Sequence, residues 1–130
     1  MVVVTRIVSL VLALALSTGV SGEELLVEFT GTGNGLTEEF EVAGPWLLDW
    51  SITSEYESEA GIEIDLVEAV FLGHKGVVLK ARYPGAGTKL FQDKGRLRFR
   101  VIANFASWRL RVSKITQEEA DAMIPVRPGL

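Results

Sequence analysis

From residue 24 onward, short runs of alternating apolar and polar residues recur about every 8 to 12 positions, with turn-forming residues between them. A period of two puts successive side chains on opposite faces of an extended chain. The runs therefore predict strands at 25–30, 38–42, 46–52, 62–71, 77–82, 88–91, 97–103 and 108–115. Trp46, Leu48, Trp50 and Ile52 share one side of their run; so do Leu97, Phe99 and Val101, and Trp108, Leu110 and Val112. These faces predict the core. Eight strands leave little room for helix, so the expected fold is all-β, an antiparallel β-sandwich of about eight short strands. Asn34-Gly35 predicts a tight hairpin, and the stretches 73–76, 84–87 and 93–95 break the later runs, which suggests a meander of hairpins. Thr116-Gln117-Glu118-Glu119 has the form of a capping box, predicting a short C-terminal helix or tail that ends before Pro125.

The first 22 residues follow a different pattern. Arg6 precedes the apolar run 7–16, and the small residues Ser17-Thr18-Gly19-Val20-Ser21-Gly22 follow it. This is the order of a secretory signal, with cleavage expected before Glu23 and Ser17 as a second position. The run is well short of the roughly 20 residues a spanning helix needs. The expected organisation is a signal peptide at 1–22 and a single β-sandwich domain at 23–130. The expected location is extracytoplasmic, periplasmic or secreted, with no membrane span in the mature chain. There is no cysteine. That excludes a lipid-modified cysteine anchor, disulfides, thiolate zinc sites and cysteine nucleophiles, so burial and hydrogen bonding must hold the domain.

Charge is divided along the chain. Residues 23–70 contain thirteen acidic residues and no Lys, Arg or His, whereas residues 71–130 contain twelve basic and four acidic residues. The arginines keep a register: Arg96, Arg98 and Arg100 alternate with Leu97, Phe99 and Val101, and Arg109 and Arg111 alternate with Trp108, Leu110 and Val112. All five are expected on the outward faces of two neighbouring strands. Two readings follow. Either acidic early strands pair with basic late strands, or Arg98, Arg100, Arg109 and Arg111 form a patch for an anion such as a polysaccharide, a lipid head group or an acidic protein. An exported acidic protein is not expected to bind nucleic acid.

Other motifs have a structural reading beside a chemical one. The spaced glycines of Gly31-Thr32-Gly33-Asn34-Gly35 resemble a phosphate loop, but no helix follows, so a hairpin turn is expected. Trp46, Trp50 and Trp108 could stack on sugars, yet they lie on the apolar side of their alternation and are expected in the core. Tyr56, Tyr83 and Phe105 fall in predicted loops and are the candidates for an exposed aromatic platform. The acidic loop 54–65 has carboxylates suited to calcium in an unfamiliar spacing, and no metal site is assigned. His74 is expected as an exposed turn residue. Asp49 lacks an identified second catalytic group, so no catalytic residue and no cofactor are predicted.

The segments Phe29-Thr30-Gly31-Thr32-Gly33, Phe40-Glu41-Val42, Gly44-Pro45-Trp46-Leu47-Leu48-Asp49-Trp50, Gly95-Arg96-Leu97-Arg98-Phe99-Arg100-Val101 and Trp108-Arg109-Leu110-Arg111-Val112 give the chain a resemblance to small exported bacterial β-sandwich domains. The resemblance spans roughly residues 27–113. It implies tryptophans in a sandwich core and carries no general activity. Several such domains have a cysteine pair near the corresponding second and last strands, which this chain lacks. The functional expectation is an exported, non-catalytic binding or accessory module for a protein or cell-envelope partner. Carbohydrate or anionic glycan binding is the alternative, with an enzyme or enzyme inhibitor behind both.

Overall fold

The computed structural model describes residues 23–123, so the predicted signal segment and residues 124–130 lie outside the description. The described residues form β1 (Glu24–Thr32), β2 (Gly35–Leu36), β3 (Phe40–Val42), β4 (Trp46–Thr53), β5 (Gly61–Glu68), β6 (His74–Ala81), β7 (Gly85–Phe91), β8 (Gly95–Asn104), β9 (Ser107–Lys114) and helix α1 (Gln117–Met123). One sheet has the order β1-β9-β4-β7. The other has the order β2-β8-β5-β6, with β3 also paired to β8. Every pairing is antiparallel. The all-β sandwich expected from the pattern is therefore the architecture, with nine strands among the described residues against the expected eight.

Connectivity departs from a meander. Only β5 and β6 are consecutive strands that pair with each other. Except for β2 to β3, the other connections carry the chain from one sheet to the other. Period-two alternation fixes which side of a strand faces the core, but both sheets face the same core, so the pattern leaves the choice of sheet open. The Asn34-Gly35 hairpin is likewise corrected. Gly33 takes the positive φ of 76° and the chain crosses to the second sheet, while the Asn34 side chain accepts a bond from Ala103 N at 2.8 Å. Residues 85–87, expected as a turn, are paired strand in β7.

The two inner faces meet in one core, with Trp46, Leu48, Leu110 and Val112 from the first sheet and Ile64, Leu66, Leu97, Phe99 and Val101 from the second. A satellite cluster of Leu47, Ile115 and Ala120 docks α1 on the back of the first sheet. Its capping box is formed: Glu119 N donates to Thr116 Oγ1 and Thr116 N to the Glu119 carboxylate, both at 3.1 Å.

The glycines of segment 31–35 have a packing reason. The Trp108 ring lies on Gly31, where an added Cβ would stand 2.4 Å from the ring, and its Nε1 donates to Gly33 O at 2.9 Å. Trp46 is wholly buried and donates to Asp93 O at 3.0 Å. Trp50 packs against the same core but is only half-buried, its ring lying at the sheet edge across the glycines of β7, with a Cβ at Gly87 placed 2.8 Å from it. Gly31→Ala should lower stability by about 1–3 kcal/mol through overpacking. Combining it with Trp108→Phe should recover part of that loss relative to Trp108→Phe alone, as read from denaturant midpoints. Strict additivity of the two changes would refute the contact.

The β5–β6 hairpin ends in a tip held by one carboxylate. Glu68 accepts bonds from Phe71 N at 2.7 Å and Val70 N at 2.9 Å, and Leu72 N donates to Glu68 O at 3.0 Å. Leu72 adopts φ 61°, a conformation costing a side-chain-bearing residue roughly 1–2 kcal/mol. The bonds from Phe71 and Val70 hold the Glu68 carboxyl below its ordinary pKa. A depressed folded-state value means that its stabilisation of the tip is present above the ordinary carboxylate range and lost as pH falls through the lowered value. Hydrogen exchange at Val70 and Phe71, corrected for intrinsic rate, should lose protection over that acid window. Glu68→Gln should abolish the pH-dependent part.

Candidate functional site

The outward faces of the two sheets carry charge, and part of it is paired across neighbouring strands. On the first sheet, Glu28 of β1 lies between Arg109 Nε at 3.3 Å and Arg111 Nε at 3.7 Å of β9. On the second, Arg96 contacts Glu39 at 2.7 Å, Arg100 contacts Asp65 at 3.5 Å, and Lys80 contacts Glu63 at 3.8 Å. The hydrogen bonds Arg96 donates to Glu39, followed by the charge of Glu39, raise the Arg96 pKa further. Basic late strands thus do pair with acidic early strands, as one reading of the sequence expected.

The single arginine stripe does not exist. β8 belongs to the second sheet and β9 to the first, so Arg98 and Arg100 stand on one outer face while Arg109 and Arg111 stand on the opposite one. The crossing at Phe105, which has φ 51°, separates them. Arg98 is tied to main chain, with Nε donating to Ala69 O at 3.0 Å and Nη1 to Thr37 O at 3.2 Å. It clamps the segments beside β8.

The aromatic candidates are brought to one end of the sandwich. Register places Thr32, Ser107 and Thr53 in one row, Gly61 opposite Asn104, and Ile52 opposite Gly85, so the loops after these positions share an end. Ser54 Oγ bonds to Phe105 O and accepts from Tyr56 N at 2.9 Å, tying loop 54–60 to the β8–β9 turn. Gly33 N donates to Ala106 O at 3.0 Å, adding the β1–β2 crossing. The rings of Tyr56 and Phe105 are 5.2 Å apart, tilted by 56°, and each residue is 56% exposed. Tyr83 is exposed on the β6–β7 turn at the same end, outside that ring pair.

Beside this end lies an open cleft of about 350 Å³ on the outer face of the first sheet, lined by Thr30, Thr32, Ser51, Thr53, Ser107 and Arg109 with Gly31 and Trp108. Thr32 and Ser107 hydroxyls are 2.9 Å apart. Arg109 lines the cleft and reaches Glu28 through Nε at 3.3 Å. The hydroxyl residues were missed in the sequence. Each occupies an ordinary polar position of its own strand, and only the pairing of β1, β9 and β4 gathers them.

The remaining candidates are dispersed. Glu63 and Asp65 of the acidic stretch 54–65 lie in β5, facing Lys80 and Arg100, while Glu55, Glu57 and Glu59 are exposed around Tyr56. Among the described residues, no three His, Asp or Glu side chains come together as metal ligands. His74 is exposed and starts β6, its Nε2 3.9 Å from Asp65. Asp49 faces outward between Arg111 and Thr88, whose hydroxyl donates to it at 2.7 Å.

These placements give Arg98 and Arg109 different roles. Arg98→Gln should cost about 1–3 kcal/mol with little salt dependence, because it strips a charged donor from two carbonyls. Arg109→Gln should cost at most about 1 kcal/mol, shrinking with added salt. Lying on opposite faces, the two changes should add within about 0.5 kcal/mol in chemical denaturation; strong coupling would contradict the topology.

No protein-family model and no curated protein matches the chain, so the resemblance to small exported bacterial β-sandwich domains rests on the residues quoted for it.

Proposed function

We propose that the protein is an exported, non-catalytic binding module that holds a neutral, hydroxyl-rich glycan at its loop end. The observation carrying this reading is the juxtaposition of the exposed Tyr56–Phe105 pair with a cleft lined by five hydroxyl side chains and the Arg109 guanidinium. Sugar rings offer C–H faces that pack on aromatic surface and hydroxyls that exchange hydrogen bonds with Ser, Thr and Arg. Charge selects within the glycan class. Glu55, Glu57 and Glu59 surround Tyr56, and Arg109 is already beside Glu28, so an anionic chain would meet repulsion.

A flat apolar patch rimmed by arginine would have favoured a protein partner. On the second sheet's outer face, however, Arg100, Asp65 and Glu63 interrupt the exposed Leu36, Val77 and Ile102. Export itself rests on residues 6–22 of the sequence.

Affinity electrophoresis through gels containing a neutral β-glucan, dextran, glycol chitin or dextran sulfate tests the reading. The mature protein should be retarded by at least one neutral polymer and not by dextran sulfate at physiological salt. Tyr56→Ala should weaken the interaction about three- to tenfold. Migration unaffected by every neutral polymer, or equal retardation of Tyr56→Ala, would overturn it.

A further inference from the structure

At the opposite end, the β5–β6 hairpin projects three consecutive apolar residues. Val70 is 57% exposed, Phe71 89% and Leu72 37%. An aromatic ring left this open forgoes burial that folding ordinarily recovers. The tip is nevertheless fixed in place, because the N–H groups of all three residues are bonded within the hairpin and Glu68 N donates to Gly73 O at 2.8 Å.

Internal satisfaction of those donors separates a bilayer from a protein groove as the surface this tip fits. A tip entering acyl chains finds no partner for a free N–H, so such donors must be bonded beforehand. A protein groove can supply the missing bonds itself. Flanking charge agrees in sign with a lipid surface. Lys75 follows the tip, Lys94 lies in the turn before β8, and neither makes an ion pair among the described residues; Ala69 N donates to Arg96 O, which draws the two turns together. Of the nearby carboxylates, Glu68 is engaged by the tip amides and Glu39 by Arg96, while Glu41 stands opposite Arg96 in register. Asp93 beside Lys94 and Glu41 opposite Arg96 keep the net attraction small, so apolar insertion must supply most of the affinity.

We propose that the Val70-Phe71-Leu72 tip inserts into the interfacial region of an anionic lipid bilayer, with Lys75 and Lys94 resting against the head groups. Insertion is shallow, as a peripheral contact and not a span.

Co-sedimentation of the mature protein with vesicles of phosphatidylcholine containing about one third phosphatidylglycerol, at low salt, provides the test. Wild type should sediment, and Phe71→Ser should lose about tenfold or more in affinity. Lys75→Gln and Lys94→Gln should each lose about twofold, an effect that salt erases. Tyr56→Ala, at the other end, should bind vesicles like wild type whatever it does to glycan retention, so the two proposals fail separately. Circular dichroism should show an unchanged fold for the tip variants; should Phe71→Ser misfold, the lysine pair still decides. Absence of sedimentation, equal binding by Phe71→Ser, or equal binding to pure phosphatidylcholine vesicles would overturn the proposal. So would a photo-crosslinker at position 71 that captures an envelope protein in place of lipid.

Discussion

The fold depends on an aromatic seam that joins the two sheets. Phe99 of the second sheet stacks on Phe40 at 5.0 Å and meets Phe29 and Trp46 of the first sheet edge-on at 6.2 and 6.1 Å. Trp46 in turn stacks on Phe91 at 4.4 Å. Such pairs contribute about 0.5–1.5 kcal/mol each beyond the area they bury. With no disulfide to restrain the unfolded chain, these contacts and the aliphatic layers around them carry the cohesion between the sheets. The seam also explains why the chain crosses so often. Residues on either side of a crossing fill opposite walls of the same interior, so local sequence closes the sandwich without long loops.

Once the interior takes one side of every strand, the outer faces remain for charge. Thirteen acidic residues without a base in residues 23–70 would repel one another in a sheet of their own. Interleaving β8 and β9 among the earlier strands removes that problem, since each late strand lies beside acidic early ones: β9 beside β1 and β4, and β8 beside β3 and β5. Most individual contacts are exposed and contribute little singly. Their joint effect is on strand order, because exchanging β9 for an acidic neighbour would set Glu28 against carboxylates instead of Arg109 and Arg111. Asp65 is an exception in kind. It is 6% exposed and its Oδ1 lacks a hydrogen-bond partner, so Arg100 must offset most of the cost of its burial.

Strand positions, the core faces of β4, β8 and β9 and the capping box of α1 were legible because each depends on residues within a few positions of one another. Sheet membership was not. The alternation through Arg96–Arg100 and Arg109–Arg111 is identical whether the two strands pair or separate, and the turn at Phe105 that decides between these carries no glycine or proline to announce it. The glycines at 31, 85 and 87 misled for a related reason. They read as turns, whereas they are strand residues whose missing side chains admit the Trp108 and Trp50 rings from elsewhere in the sequence. Tyr56 and Phe105 were legible as exposed aromatics. Their adjacency was not, since it comes from Ser54 bridging two loops 51 positions apart.

Strand direction sets how the two unusual ends relate. β5 runs from Gly61, opposite Asn104 beside the aromatic pair, to Glu68 at the base of the Phe71 tip. Eight residues at about 3.3 Å each separate the ends by about 25 Å. The separation has an energetic reason. Both ends leave large apolar side chains in water, and placing them together would create one broad patch prone to self-association. Kept apart by a core that is cohesive across the seam, and by faces that carry charge on both sheets, each end presents only a small apolar patch to water. Under the two proposals, a molecule resting on a bilayer through Phe71 would hold the Tyr56–Phe105 cleft away from the head groups, facing the polymer layer outside, with β5 as the rigid spacer between them.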